Sequence, residues 1–133
     1  MGRMRHHAIV VTGWKDEAVA AAHDQAEALL YAATDPGSPA ASVLLTPIMR
    51  ALTNGYSSFA ILPDGSKEWW DTSNAVEDAR AEFLRWLREA DGYLKWVEVQ
   101  FGDDDGDTRI TAHCDDDGGD PYAPASDEGT ERG

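Results

Sequence analysis

The fold of this chain is decided by residues 54–70, NGYSSFAILPDGSKEWW. Asn54-Gly55 is a favoured pair for a tight type I′ hairpin, because both central residues of that turn need positive φ. A second turn signal follows at Pro63–Ser66. Between the turns lies the apolar run Phe59–Leu62, which is typical of a strand covered on both faces. The middle of the chain is therefore predicted to be a three-strand meander.

Two amphipathic helices are predicted on either side of this meander. Apolar positions at helical spacing indicate the first over Lys15–Ala33. The second is predicted over Ala75–Ala90, and Asn74 with Glu77 has the layout of a capping box at its start. Its buried side is expected to consist of Val76, Ala79, Arg80, Phe83, Trp86, Leu87 and Ala90.

Four further segments have the patterns of strands. His7–Thr12 contains an unbroken apolar run and is predicted to be a central strand. Ser42–Leu52 contains Pro47, which lacks an N–H for the ladder and indicates a sheet edge or a bulge. Tyr93–Phe101 alternates and is predicted to be half exposed, and Thr108–His113 returns after an acidic turn.

The predicted order of elements is strand, helix, strand, strand, short strand, helix, strand, strand. This order favours an α+β fold of the ferredoxin-like split βαβ type, with a mainly antiparallel sheet, both helices on one face and an extra C-terminal hairpin strand. Residues 1–114 are expected to form one domain. Residues 115–133 are predicted to be a disordered acidic tail, because they hold too little apolar surface to offset their ordering entropy.

The charge is spread unevenly along the 133 residues. The formal net charge is −14, from 11 basic and 25 acidic side chains. Residues 1–102 hold 9 basic and 14 acidic side chains, giving −5, and residues 103–133 hold 2 and 11, giving −9. Direct binding of nucleic acid or of an anionic membrane is therefore not expected, since both need clustered Lys and Arg. Cys114 is the single cysteine and has no partner for an internal disulfide, which favours the cytoplasm.

No pattern for catalysis or metal binding is found. The serines and acids have no nucleophile elbow or phosphate loop around them, so the chain is interpreted as not an enzyme. Asp103–Asp107 resembles the start of a calcium loop, but Thr108 and Cys114 occupy the positions that need Gly and Glu, and a hairpin turn is preferred. The histidines lack the short paired spacings of zinc sites, so no metal or cofactor is predicted; they are His6, His7, His23 and His113.

Aromatic side chains are the candidates for binding. Trp69 and Trp70 are adjacent on an extended segment, so one of them is expected to face solvent. With Tyr56 and Lys67 they form the predicted binding surface, since exposed aromatics concentrate binding energy at interfaces. Packing of these rings in the core is the alternative.

Parts of the chain resemble small uncharacterised proteins encoded by bacteriophages and prophages. The resemblance lies in Arg5–Thr12, Asn54-Gly55-Tyr56, Pro63–Glu68 and Trp96–Asp103, within residues 4–110. It implies a bacterial cytoplasm and an accessory role, and it carries no assigned activity or functional residues. Small acidic proteins in this group often bind and block host machinery.

Three hypotheses of function follow. The first is a noncatalytic accessory protein that binds and inhibits or modulates a host protein with a basic surface, such as a defence or nucleic-acid-handling factor. The second is a nucleotide-binding protein that stacks a base on Trp69 and Trp70; Arg50, Lys67, Arg80 and Arg85 would then converge on the phosphates. The third is a minor virion or assembly component. Homo-oligomers remain open in all three.

Overall fold

The structure, a computed structural model, describes residues 6–33, 43–65, 71–90, 93–102 and 108–114, with side chains from Ala75 onward in the third range. The strands are β1 (His6–Gly13), β2 (Met49–Arg50), β3 (Ser57–Ile61), β4 (Leu94–Phe101) and β5 (Arg109–His113), and the helices are α1 (Asp16–Ala33) and α2 (Asp71–Glu89). Three predicted features lie outside the described residues: the short strand near Trp69, the acidic turn Asp103–Asp107 and the tail from residue 115.

The strands form one antiparallel open sheet in the order β2-β3-β1-β4-β5. The α+β class, the mainly antiparallel sheet and the added C-terminal strand are confirmed. This five-strand order is not that of a simple ferredoxin fold, so the ferredoxin-like part of the prediction stays a prediction.

Both helices pack on one face of the sheet, and the core lies between them and the strands. Leu30 of α1, Phe83 of α2 and Ile9 of β1 are buried in the same apolar cluster. The predicted helices are confirmed, as is the buried side of α2, to which Leu84 must be added. The predicted capping box is wrong, because α2 begins at Asp71 and Asn74 lies inside its first turn.

The central position of β1 is confirmed, whereas the predicted burial of β3 on both faces is wrong, and β1 is also exposed on one face. Ile9 and Val11 are fully buried, whereas Val10 between them is 40% exposed. Phe59 and Ile61 of β3 alternate with half-buried neighbours in the same way. The reason is that no second layer of the described chain covers the face away from the helices.

The predicted hairpin is confirmed, and the strand predicted within Ser42–Leu52 is confirmed only at Met49–Arg50, since Val43 and Leu44 are helical. Asn54 and Gly55 have φ of 64° and 70°, the positive values that the turn between β2 and β3 needs. β2 is the edge strand, and Pro47 precedes it without interrupting the two-residue ladder to β3. The second turn is predicted at Pro63–Ser66; residues 63–65, its described part, lie outside the sheet, and Ser66 is not among the described residues.

Candidate functional site

The side of the sheet opposite the helices, here called the open face, is a contiguous and mainly apolar surface. Cross-strand partners point to the same side of a sheet, so the register identifies its members. From β1 outward they are His6, Ala8, Val10 and Thr12, with Met49, Ser58 and Ala60 on one flank and Lys95, Val97, Val99, Phe101, Ile110 and His113 on the other.

None of these open-face residues is acidic, although the chain contains 25 Asp and Glu side chains. The exposed carboxylates of the two helices lie on the other side of the molecule; among them are Glu17, Asp24, Glu27, Glu77, Asp78, Glu82 and Glu89. We call the outer surface of α1 and α2 the helical layer. Among the described residues, the exposed helix carboxylates therefore lie on the helical layer, and the open face holds none.

A shallow concavity of about 250 Å³ lies on the open face where β1, β4 and β5 meet. Val10, Val97 and Ile110 give it an apolar floor, and Lys95 and His113 stand at its rim. None of the described residues that line it is a carboxylate. We call it the Lys95 concavity.

Lys95 differs from the other basic side chains that the structure describes. Lys15 lies over the Tyr93 ring at 4.3 Å, and Arg88 lies over Trp96 at 5.4 Å. The remaining guanidinium groups are engaged as well: Arg50 with Asp16, Arg80 with Glu98, Arg85 with Glu82, and Arg109 through contacts of its own. Within the described ranges the ammonium of Lys95 forms no ion pair, hydrogen bond or ring contact, so it is available to an anion.

An exposed aromatic pair stands near the same end of β1. Trp14 is 51% exposed and meets Tyr93 edge to face, with 5.4 Å between ring centroids. Lys15 covers the Tyr93 ring and makes the pair more polar on one side. The sequence supplied these aromatics but no signal that they come together, because they belong to different segments.

The predicted binding residues are only partly within the described structure. Tyr56 precedes β3 and is exposed, which agrees with a surface role, and its backbone oxygen accepts a hydrogen bond from Ala51. Lys67, Trp69 and Trp70 lie outside the described residues, so their grouping with Tyr56 stays a prediction.

The predicted convergence of cations for a nucleotide is wrong for the three that are described. Arg80 is buried beneath α2, whereas Arg85 is exposed on the same helix. Arg50 lies on edge strand β2 and pairs with Asp16 at 3.3 Å. Each guanidinium already has a carboxylate partner, so these cations form no common phosphate site.

A buried polar cluster links α2 to the sheet on the helix side. Arg80 Nε lies 3.8 Å from Glu98 Oε2, and both side chains are almost fully buried. The Thr111 hydroxyl donates to Glu98 Oε1 at 2.7 Å. Thr111 is the extra residue of a bulge, since Glu98 pairs with Ala112 and Val99 with Ile110, and bulges re-aim side chains in this way.

His7 lies at the rim of this cluster. Burial lowers the pKa of His7, and the charge of Arg80 lowers it further, against opposing effects of Glu98, Glu77 and a hydrogen bond that the ring donates to Gln100. The cluster satisfies polar groups that α2 covers, which is a structural role. The helical pattern of α2 predicts that Arg80 lies on the buried side. The sequence does not show that β4 supplies the carboxylate partner, Glu98.

One group of side chains on α1 could hold a metal ion. Single ligand atoms of His23, Asp24 and Glu27 lie within 4.8 Å of one another. His23 Nε2 donates to the Thr46 carbonyl at 2.9 Å, which fixes the ring. The sequence signal for this group is the spacing of four residues between His23 and Glu27, which places both side chains on one face of a helix. Exposed acidic groups gather on many helices without a metal, so this cluster supports no function by itself.

Comparison with family models, with curated proteins and with solved structures finds no match to this chain. Neither described helix is long and apolar enough to cross a membrane. The functional assignment therefore rests on the chemistry of the open face.

Proposed function

We propose that this chain is a noncatalytic binding protein that docks on a partner protein through its open face. The observation that carries this proposal is an apolar sheet face without a carboxylate on a chain of net charge −14. Contiguous exposed apolar surface on a soluble domain marks an interaction site more often than chance exposure does. The segment Ala8–Val11 supports the same reading, because its unbroken apolar run suits a strand covered on both sides.

The chemistry of the open face defines the partner. Its charged or chargeable members are Lys95, His6 and His113, so the complementary surface is apolar with carboxylates at its edge. The basic partner expected from the net charge would meet the helical layer instead. In line with the resemblance to phage-encoded proteins, the partner is a host protein. Docking of this chain inhibits or modulates the activity of that protein.

The size of the open face suits a modest interface. Five strands about 4.8 Å apart, most of them five to eight residues long, span a flat area on the order of 500 Å². A standard specific interface takes about 800 Å² from each partner. The open face would therefore supply most of an interface at the lower end of the specific range, as regulatory complexes often have.

The connections that α1 and α2 make between strands support a split βαβ arrangement, which we propose as the finer description of the fold. α1 joins β1 to β2, and β3 lies between those strands; α2 joins β3 to β4, and β1 lies between them. Both crossovers then place their helices on one side, which leaves the open face free.

Site-specific photo-crosslinking in bacterial cells tests the docking face. The crosslinking residue is placed at Val10 or Ile110 on the open face, and at Asp24 on α1 as the control, since all three side chains are exposed. We expect the same partner to be captured from Val10 and Ile110 and not from Asp24. Mass spectrometry should place the crosslinks on apolar partner residues that have Asp or Glu neighbours.

Two outcomes contradict the proposal. Capture from Asp24 alone would assign binding to the helical layer and support a basic partner. Capture of a second copy of this chain from Val10 would make the open face a self-association surface instead.

A further inference from the structure

The Lys95 concavity combines an apolar floor with a cation that has no partner among the described residues, and we propose that it binds an aliphatic side chain that has a carboxylate next to it. The pair is supplied by the docking partner, so this inference rests on the proposed function. It names the anchor of that interface: the aliphatic group fills the floor, and the carboxylate faces Lys95.

The bulge in β5 builds the concavity. On a regular strand, residues that share a face are two positions apart. Here Ile110 opposes Val99 and His113 opposes Val97, so these open-face residues of β5 are three positions apart, with Thr111 turned to Glu98 on the other side. The wider spacing leaves a gap beside Val97, and the concavity lies there. Bulges at such positions are specific features of a fold and commonly occur next to functional sites.

The cation at the rim selects for an anion. In the described part of the chain the ammonium of Lys95 has no partner, and none of the described residues that line the concavity is acidic. His113 stands on the same rim and adds a second nitrogen-bearing side chain. A carboxylate brought to this rim gains an ion pair without displacing one that already exists.

The shape favours a side chain over a free small molecule. Sites for small molecules are usually clefts of about 300–1,000 Å³ that enclose most of the ligand. The Lys95 concavity is smaller, at about 250 Å³, and open to solvent. Such a depression holds one side chain well when the rest of the partner covers the opening, as anchor residues do at interfaces.

Three capped dipeptides test this inference by ¹⁵N–¹H NMR titration of the full chain. N-acetyl-Leu-Glu-amide carries both groups, N-acetyl-Leu-Gln-amide lacks the charge, and N-acetyl-Ala-Glu-amide lacks the aliphatic body. We expect the Leu-Glu probe to shift the amides of Lys95, Val97 and Ile110 and to bind about 2- to 5-fold more tightly than Leu-Gln, the ratio for an exposed ion pair. The Ala-Glu probe should bind more weakly than Leu-Glu.

Two variants provide the matched comparison. Lys95→Gln should abolish the preference for Glu over Gln, and Lys15→Gln should retain it, because Lys15 lies over Tyr93 and does not line the concavity. Equal binding of Leu-Glu and Leu-Gln, shifts elsewhere on the sheet, or loss of the preference in Lys15→Gln would overturn the inference. Octanoate serves as a fourth probe, and binding of octanoate well above that of the Leu-Glu dipeptide would assign the concavity to a free aliphatic acid.

This result is separable from the docking proposal. If Lys95→Gln leaves the crosslinking yield from Val10 unchanged, the anchor is wrong and docking through the open face stands. If the wild-type chain gives no partner crosslink from Val10 or Ile110, docking itself is wrong whatever the dipeptides do.

Discussion

The two faces of the sheet are built from alternate residues of the same strands, yet they have opposite chemistry. On the helix side, Val11 of β1 and Trp96 of β4 are buried, and the polar groups there are paired with one another. On the open face, Val10 and Val97 meet solvent beside Lys95, which pairs with none of the described residues. The pleat separates the two sets completely, because neighbours along a strand point to opposite sides. The helix side therefore carries the stability of the domain, and the open face is free to carry its interactions.

The comparison also changes the meaning of the net charge. The acids of the described helices lie on the helical layer, while the open face has none. A chain of charge −14 thus presents a surface on which, among the described residues, the only full charge is that of Lys95. The net charge of the chain bears on its solubility and on long-range steering. The chemistry of the contact surface depends on the residues of the strands that form it.

The largest difference between the faces is expected for truncation of core side chains. Phe83→Ala removes a fully buried ring and should lower the free energy of unfolding by about 3–5 kcal/mol. Val10→Ala removes two methyl groups from the open face and should lower it by less than about 1 kcal/mol. Urea unfolding of both variants measures the difference, and similar losses would show that the open face is packed within the chain.

The sequence predicts features that depend on local periodicity better than features that depend on what packs against an element. The period of α2 was enough to place Phe83 inside, because the periodicity of a helix is local. The unbroken run Phe59–Leu62 predicts burial on both faces of β3, but Ala60, between the buried Phe59 and Ile61, is only half-buried. The sequence of a strand shows how polar each of its two faces is. It does not show whether an apolar face is buried by the same chain or by a partner protein.

The candidate site was harder to predict than the fold, because its members are brought together by register. Lys95, Ile110 and His113 come from two strands, and the bulge at Thr111 sets their spacing. A shift of one residue would turn each side chain to the other face, so no reading of the separate segments could assemble the site. The same holds for Arg80 and Glu98, whose pairing depends on how α2 crosses β4.

The next largest effect should come from the buried ion pair on the helix side. Arg80→Met leaves the carboxylate of Glu98 buried without its guanidinium partner, and should cost about 3 kcal/mol, the lower end for such pairs. Arg85→Met on the same helix removes an exposed pair with Glu82 and should cost less than about 1 kcal/mol.

A double variant separates the value of the pair from the penalty for breaking it. Replacing both Arg80 and Glu98 with Met removes both charges, so most of the stability lost in Arg80→Met should return. Urea unfolding of the four proteins of this cycle gives the coupling energy. An Arg80→Met variant as stable as Arg85→Met would show that Glu98 reaches solvent and that the pair is not buried.

A smaller effect concerns pH and the rim of the same cluster. The pKa of His7 lies below its usual value of about 6.5, chiefly because of burial and then because of Arg80 on α2. Glu77 on α2 and Glu98 on β4 act in the opposite direction. Below about pH 6.5 the unfolded chain therefore binds a proton at His7 more readily than the folded chain, so this residue lowers stability as the pH falls toward its folded pKa.

NMR titration of the imidazole checks the direction of this shift. Arg80→Met should raise the pKa of His7, and Glu77→Gln should lower it further. The contribution to stability between pH 7.5 and 5 should stay below about 1 kcal/mol, because the ring is half-buried and solvent screens it. His7→Gln should remove that part of the pH dependence, and a titration of His7 at or above pH 6.5 would contradict the assignment.

The smallest effect on stability is expected at Ile110, where the comparison of the two faces is tested most directly. The side chain is 56% exposed on edge strand β5, so Ile110→Thr should change the free energy of unfolding by no more than about 0.5 kcal/mol. Ile110→Glu should also leave the fold intact, but it places a carboxylate on the open face beside the Lys95 concavity. Docking of a partner that offers its own carboxylates should then be lost, through like-charge repulsion and through loss of the apolar floor.

Crosslinking from Val10 measures the effect of each variant on docking, and urea unfolding of the same variants measures the effect on stability. Ile110→Glu should abolish the crosslink and Ile110→Thr should weaken it, while both unfold near the wild-type urea concentration. A loss of more than about 2 kcal/mol in Ile110→Glu is the size expected for burying an unpaired charge, and it would mean that part of this chain already covers the open face. In that case β1 is buried on both sides after all, and the surface left for a partner is the helical layer with its exposed carboxylates.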